Sequence, residues 1–164
     1  MNIYLIGLPG SGKSTLGKRL AKELGYNYVD TDNLIEKEAM MFIDEIFSSY
    51  GEEYFRSLEK NILRGLKDKD NLVISTGGGI IKDKKNKELM SGKVIYLDVP
   101  LDILDERLSK SKTIRPLLET YTIYDLYNER KELYNYFMDL KVDNTNLAKA
   151  ISKIKESLWE KLLL

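Results

Sequence analysis

The chain has 164 residues, 43% of them hydrophobic, which is enough for one domain with a single filled core and too few for two. Lys plus Arg equal Asp plus Glu at 26 each, so no net field favours a nucleic-acid track or an anionic membrane surface as partner, and any specificity for anions must be local. With no Cys and no His, disulfides, thiolate nucleophiles, imidazole bases and the usual zinc, copper or iron ligand sets are excluded; a carboxylate is the expected general base and a hard ion such as Mg²⁺ the expected metal.

In chain order, the first expected element is a strand, Asn2–Ile6, whose apolar run is far too short for a signal segment or a membrane span; a cytoplasmic location is the default expectation. A helix follows at Lys13–Leu24, a strand at 26–29, helices at 33–48 and 53–66, then a strand at Leu72–Ser75. The second half reads as a strand at 94–97, helices at 101–108 and Ile123–Phe137, a short strand at 140–142 and a helix at 147–162. On this last helix Leu147, Ile151, Ile154, Leu158 and Leu162 share one face, suited to packing on a sheet. There is no repeat, no low-complexity tract and no linker, so residues 1–164 are expected to form one domain. Strands alternating with helices argue for a parallel sheet covered on both faces, a three-layer α/β/α domain. Such sheets gather ligands at the carboxyl ends of their strands, which directs attention to the residues after Ile6, Val29, Ser75 and Leu97.

After Ile6 stands Gly7-Leu8-Pro9-Gly10-Ser11-Gly12-Lys13-Ser14, a full G-x-x-x-x-G-K-[ST] motif in its required strand-to-helix context. Gly10, Ser11 and Gly12 can turn backbone N–H groups inward to form an anion nest at the helix N-terminus. Lys13 is placed for the β- and γ-phosphates of ATP or GTP, Ser14 for Mg²⁺ and Thr15 for a secondary phosphate contact.

After Val29, Asp30-Thr31-Asp32 projects two carboxylates to one side. One can serve a metal hydration shell and the other accept a proton from an attacking hydroxyl; equally, one can cap the helix beginning near Asn33. Asp98, ending the apolar run Val94-Ile95-Tyr96-Leu97, is a competing metal ligand, with turn or cap chemistry before Pro100 as the alternative.

After Ser75 and Thr76 come Gly77-Gly78-Gly79, where the backbone can approach a ligand closely. Six of the basic residues are Arg, the side chain that grips carboxylate or phosphate at two points. Arg56 lies three residues before Glu59 on an expected helix, and Arg130 stands on another, in Arg130-Lys131-Glu132-Leu133-Tyr134. Arg115-Pro116-Leu117-Leu118 falls in an aperiodic stretch, about 109–122, that reads as a mobile lid able to carry an arginine onto a transferring phosphoryl group and exclude water.

Taken in order, residues 7–15, Asp30-Thr31-Asp32, Phe55-Arg56 with Glu59, Gly77-Gly78-Gly79, Arg115-Pro116-Leu117-Leu118 and Glu129-Arg130 with Tyr134 resemble the shikimate kinase family of P-loop proteins over nearly the whole chain. The resemblance implies a five-stranded parallel sheet of order 2-3-1-4-5, ATP with Mg²⁺ as donor and the 3-hydroxyl of shikimate as acceptor. It further implies substrate-binding helices at about 33–66, a shikimate carboxylate clamped by Arg56 and Arg130, Glu59 holding Arg56, and donors from the triplet Gly77 to Gly79. By the same resemblance Asp32 is base or orienter, Ser14 and Asp30 serve Mg²⁺ in preference to Asp98, Lys13 and Arg115 stabilise the transferring group, and Arg107 stacks on adenine. Two departures bear on adenine: Arg107 stands eight rather than seven residues before Arg115, and the loop at 144–146 lacks the proline often found there. A monomer binding only ATP and shikimate is expected. A kinase for another polyol acid such as gluconate is not expected to combine the glycine triplet with Phe-Arg-x-x-Glu and Arg-Pro-Leu-Leu, and a catalytically silent nucleotide-binding module is expected to have lost Lys13, Asp32 or a clamp arginine.

Overall fold

Alternating strands and helices assemble as the periodicity requires. The computed structural model describes residues 1–110 and 122–160. Its elements are β1 (Asn2–Ile6), α1 (Lys13–Leu24), β2 (Asn27–Asp30), α2 (Thr31–Ala39), α3 (Ile43–Lys67), β3 (Leu72–Ser75), a 3-10 turn (Ile80–Lys82), α4 (Asn86–Leu89), β4 (Gly92–Asp98), α5 (Leu101–Ser109), α6 (Ile123–Phe137), β5 (Leu140–Asp143) and α7 (Leu147–Glu160). The strands form one sheet in the order β2-β3-β1-β4-β5, with all four pairings parallel.

Strand side chains alternate between two cores. Ile3, Leu5, Val73, Ile95, Leu97 and Val142 pack under Leu16 and Leu20 of α1 and Ala150, Ile151 and Ile154 of α7. Tyr4, Ile6, Ile74, Val94 and Tyr96 face the other way, against Leu63 and Leu66 of α3, Leu104 of α5 and Leu126, Tyr134 and Phe137 of α6. Each fully buried Leu or Ile contributes about 1.5–3 kcal/mol relative to exposure, so this two-sided burial is what holds the three layers together. A smaller cluster of Ile35, Ile46 and Phe55 joins α2 to α3.

The register brings the strand ends to one rim. Asp30 and Leu5 both stand opposite Ser75, and Asp98 stands opposite Asp143. The segments that follow the five strands therefore leave the sheet side by side.

The region from 31 to 67 departs from expectation. The helix expected at 33–48 ends early: Met40 adopts a left-handed conformation (φ 53°), its N–H bonding to the carbonyl of Glu36. The break is held because a Glu36 carboxylate oxygen accepts from the N–H of Ile43, 3.1 Å away, at the start of α3. The interruption expected between 48 and 53 is instead a kink inside α3 at Gly51 (φ 85°, ψ 171°), a conformation that favours glycine.

Candidate functional site

The nucleotide loop leaves β1 with Gly10 and Gly12 at φ 83° and 90°, conformations that require glycine. Gly12 caps α1 without any side-chain acceptor, so the first N–H groups of the helix face the loop's concavity as donors. The Lys13 ammonium arches over the loop, donating to the carbonyls of Gly7 (2.7 Å) and Leu8 (3.2 Å). Ser14 and Thr15 stand exposed in the first turn of α1. Arg107 of α5 donates from one nitrogen to the carbonyl of Gly10 (3.1 Å) and from another to that of Asn144 (3.0 Å), which puts it between the loop and the end of β5.

The two carboxylates after β2 have different tasks. An oxygen of Asp30 accepts the N–H of Asn33 at 3.0 Å and caps α2, so the capping role left open by the sequence falls to Asp30. Asp32 keeps one buried oxygen without a hydrogen-bond donor. Burial, aided by the charge of Asp30, pushes its carboxyl up to about 6, against the pull of Lys13 and Arg56. Thr31 between them is fully buried, and its hydroxyl accepts the N–H of Gly77 at 2.9 Å, fastening the start of α2 to the glycine triplet. Asp98 has other partners: its backbone carbonyl accepts from Asn144 at 2.9 Å, and its carboxylate accepts from the Tyr96 phenol at 3.5 Å and is 3.7 Å from Lys141.

The triplet is shaped by its neighbours. A Cβ at Gly77 would fall on the carboxylate of Asp32, one at Gly79 on the guanidinium of Arg56, and one at Gly78 would stand 3.0 Å from a guanidinium nitrogen of Arg130. The space that three side chains would fill is thus taken by three charged groups from α2, α3 and α6. Arg56 is held by Glu59, whose oxygens lie 3.0 and 3.2 Å from one guanidinium nitrogen, and by the more exposed Glu52 at 3.4 Å. Burial pushes the Glu59 carboxyl up to about 7, even with Arg56 pulling it down. Arg130 is only 2% exposed and makes no ion pair with a carboxylate among the described residues. Behind it lies Tyr134, stacked on Tyr96 at 4.6 Å, its phenol pushed up to about 12 by burial.

Asp32, Arg56, Arg130 and Gly77 to Gly79 therefore converge, and the loop with Lys13 is near enough for its charge to act on Asp32. Arg115 and residues 111–121 of the expected lid lie outside the described residues. Sequence reasoning missed Thr31 and the tie from Asn144 to the loop. A buried β-branched hydroxyl wedged between two acids was the available signal for Thr31; Asn144 offered none.

The family model described as Shikimate kinase matches residues 9–160. The chain is 47% identical over 137 residues to a shikimate kinase of Persephonella marina (strain DSM 14350 / EX-H1), covering 81% of this chain and 83% of that protein. It is 45% identical over 159 residues to a shikimate kinase of Clostridium botulinum (strain Okra / Type B1), covering 93% of each. Among solved structures, it resembles the shikimate kinase from Acinetobacter baumannii in complex with shikimate, with a TM-score of 0.89 and 34% identity, covering 99% of this chain and 95% of that one.

Proposed function

Since the chain belongs to the shikimate kinase family, we infer that it transfers the γ-phosphoryl group of ATP to the 3-hydroxyl of shikimate, giving shikimate 3-phosphate and ADP in the biosynthesis of chorismate and the aromatic amino acids. The observation that carries this reading is the glycine triplet with Asp32, Arg130 and Arg56 packed in turn against its three positions. Two guanidinium groups beside an acid suit an acceptor that has both a carboxylate and an alcohol, and a planar carboxylate takes paired N–H donors well.

Arg56 and Arg130 hold the carboxylate, with N–H groups of Gly78 and Gly79 as further donors. The acceptor hydroxyl lies against Asp32. As its oxygen bonds to the γ-phosphorus and the bond from that phosphorus to the β,γ-bridging oxygen breaks, the proton passes to the Asp32 carboxylate. A carboxyl raised to about 6 is still ionised at neutral pH, yet holds a proton better than an ordinary aspartate. Gly10, Ser11, Gly12, Lys13 and Thr15 receive the phosphates, Lys13 and Arg115 stabilise charge on the transferring group, and Arg107 lies on the adenine side.

The donor set fits Mg²⁺. No cluster of three acidic ligands exists among the described residues, and Mg²⁺ bound with a nucleotide needs none, since it keeps several waters and takes phosphate oxygens. The Ser14 hydroxyl and the Asp30 oxygen not used in capping would complete its surroundings, and the ion would neutralise phosphate charge. Among the described residues no helix is long and apolar enough to cross a membrane. A cytoplasmic location is part of the proposal. We take residues 1–164 to act as one domain and as a monomer.

The test is ADP release in a coupled assay with shikimate, with gluconate and with no acceptor. ADP should form rapidly with shikimate alone. Equal rates with gluconate, or with no acceptor at all, would overturn the assignment.

A further inference from the structure

An anion nest works only while successive N–H groups face inward, which turns the intervening carbonyls outward; where those carbonyls are buried, something outside the loop must donate to them. Ser11 is 1% exposed, and its carbonyl receives the side-chain amide of Asn144 at 2.7 Å. The neighbouring carbonyl of Gly10 receives Arg107 at 3.1 Å. Asn144 is itself fixed at both backbone groups, its N–H donating to Asp98 (2.9 Å) and its carbonyl accepting from Arg107 (3.0 Å). Its amide occupies the space a side chain at Gly12 would need, since a Cβ there would lie 2.5 Å from the amide nitrogen. The other amide atom, the Asn144 oxygen, is buried with no partner. An orphaned buried acceptor is unfavourable, and its retention is explained if the donor half of the same amide is needed at Ser11.

We propose that Asn144 is a positioning residue for the nucleotide phosphates: by donating to Ser11 while Arg107 donates to Gly10, it holds the loop's carbonyls outward and its N–H groups aimed at the phosphate chain. The proposal rests on the loop's reading as an ATP site and deepens it, because it gives the end of β5 a task at the phosphates rather than at the base. Asn144 touches no phosphate itself, and Arg107 extends the brace to α5.

The test measures the affinity of the full chain for ATP and for inorganic tripolyphosphate, each with Mg²⁺, in Asn144→Ala and in the isosteric Asn144→Asp. Shikimate affinity is measured on the same preparations. Loss of the donor should weaken ATP and tripolyphosphate alike by about tenfold in Asn144→Ala, with shikimate unchanged. Asn144→Asp should lose more, because it turns a carboxylate onto the Ser11 carbonyl, and it preserves packing volume if the alanine variant folds poorly. In steady state the KM for ATP should rise and the KM for shikimate should not. A loss confined to ATP, with tripolyphosphate unaffected, would make Asn144 a base contact and overturn the proposal. Parallel loss of all three ligands would reduce its role to general folding and equally overturn it. Failure of the wild-type chain to bind either phosphate compound would instead sink the reading of the loop.

Discussion

Replacing Asp32 by Asn should make the ligand-free protein more stable while nearly abolishing its turnover. The Asp32 carboxyl is pushed from an ordinary 3.8 to about 6, chiefly by burial and then by the neighbouring charge of Asp30. A raised acid pKa means that the folded chain holds this proton more tightly than the unfolded chain does. Its stabilising contribution is therefore full below about pH 4 and is lost as pH rises through about 6. A shift of roughly two units, at about 1.4 kcal/mol per unit, amounts to about 3 kcal/mol lost by the wild type above pH 7. Asparagine never ionises and escapes that loss. At pH 8 the variant should melt higher by up to about 6–12 °C, given roughly 2–4 °C per kcal/mol for a chain of this size. The two melting curves should converge near pH 4, because both side chains are then neutral in the folded state. Turnover at pH 8 should fall by about 10²-fold or more, the range for loss of a positioned base, with ATP affinity largely kept. Thermal melts from pH 4 to 8 without nucleotide, together with the coupled assay, measure both effects. A wild type as stable as the variant at pH 8, or a gap of the same size at pH 4, would refute the electrostatic argument. Unchanged turnover would reject Asp32 as the base.

Arg56→Ala should raise the KM for shikimate by about 10- to 100-fold while leaving ATP affinity near wild type, since it removes one charge-assisted arm of a carboxylate clamp; equal weakening of both ligands would count against that role. Gly79→Ala places a methyl group on the Arg56 guanidinium, so it should reproduce the Arg56→Ala pattern without touching the arginine, and a normal shikimate KM would show that the packing of the triplet is not what seats the clamp. Thr31→Val leaves the half-buried N–H of Gly77 without its acceptor and should destabilise the fold by about 0.5–1.5 kcal/mol while lowering turnover, with Thr31→Ser restoring both. If Thr31→Ser behaves like Thr31→Val, the hydroxyl is not what matters.

Much of this arrangement is local and therefore readable from the chain. The nucleotide loop needs only closely spaced glycines and a lysine between a strand and a helix, and both are evident. The alternation of short strands with helices sufficed for a covered parallel sheet, whereas the order 2-3-1-4-5 came from family likeness, because periodicity is silent on which strands pair. The break at Met40 was hidden, since Met40, Met41 and Phe42 continue the apolar character of α2 and nothing marks a stop; a left-handed methionine tied back to Glu36 makes it. Arg130 reads from its neighbours as an ordinary helix surface position, yet α6 turns it inward to 2% exposure. The bond from Asn144 to Ser11 spans 133 positions, and no pattern in a single sequence reports on such a contact. The triplet was legible as a close approach of backbone, but not as three cavities matched to Asp32, Arg130 and Arg56.

The electrostatics of the acceptor site make sense only with its ligands considered. Arg56 is already held by Glu59 through two hydrogen bonds, so it enters binding oriented. Arg130 is more deeply buried and has no carboxylate among the described residues to offset it. A buried guanidinium without an anion is costly, and on the proposed reading the expense is recovered when the acceptor's carboxylate arrives between the two arginines. Asp32 carries the complementary deficit, an orphaned oxygen and a carboxyl held near 6, which an alcohol hydrogen bond would relieve. One acceptor molecule bearing both groups at the right separation corrects both faults together, whereas an alcohol without the acid leaves Arg130 unpaired. Discrimination therefore arises from what remains unsatisfied when the wrong acceptor binds, a penalty that hydrophobic fit alone does not provide.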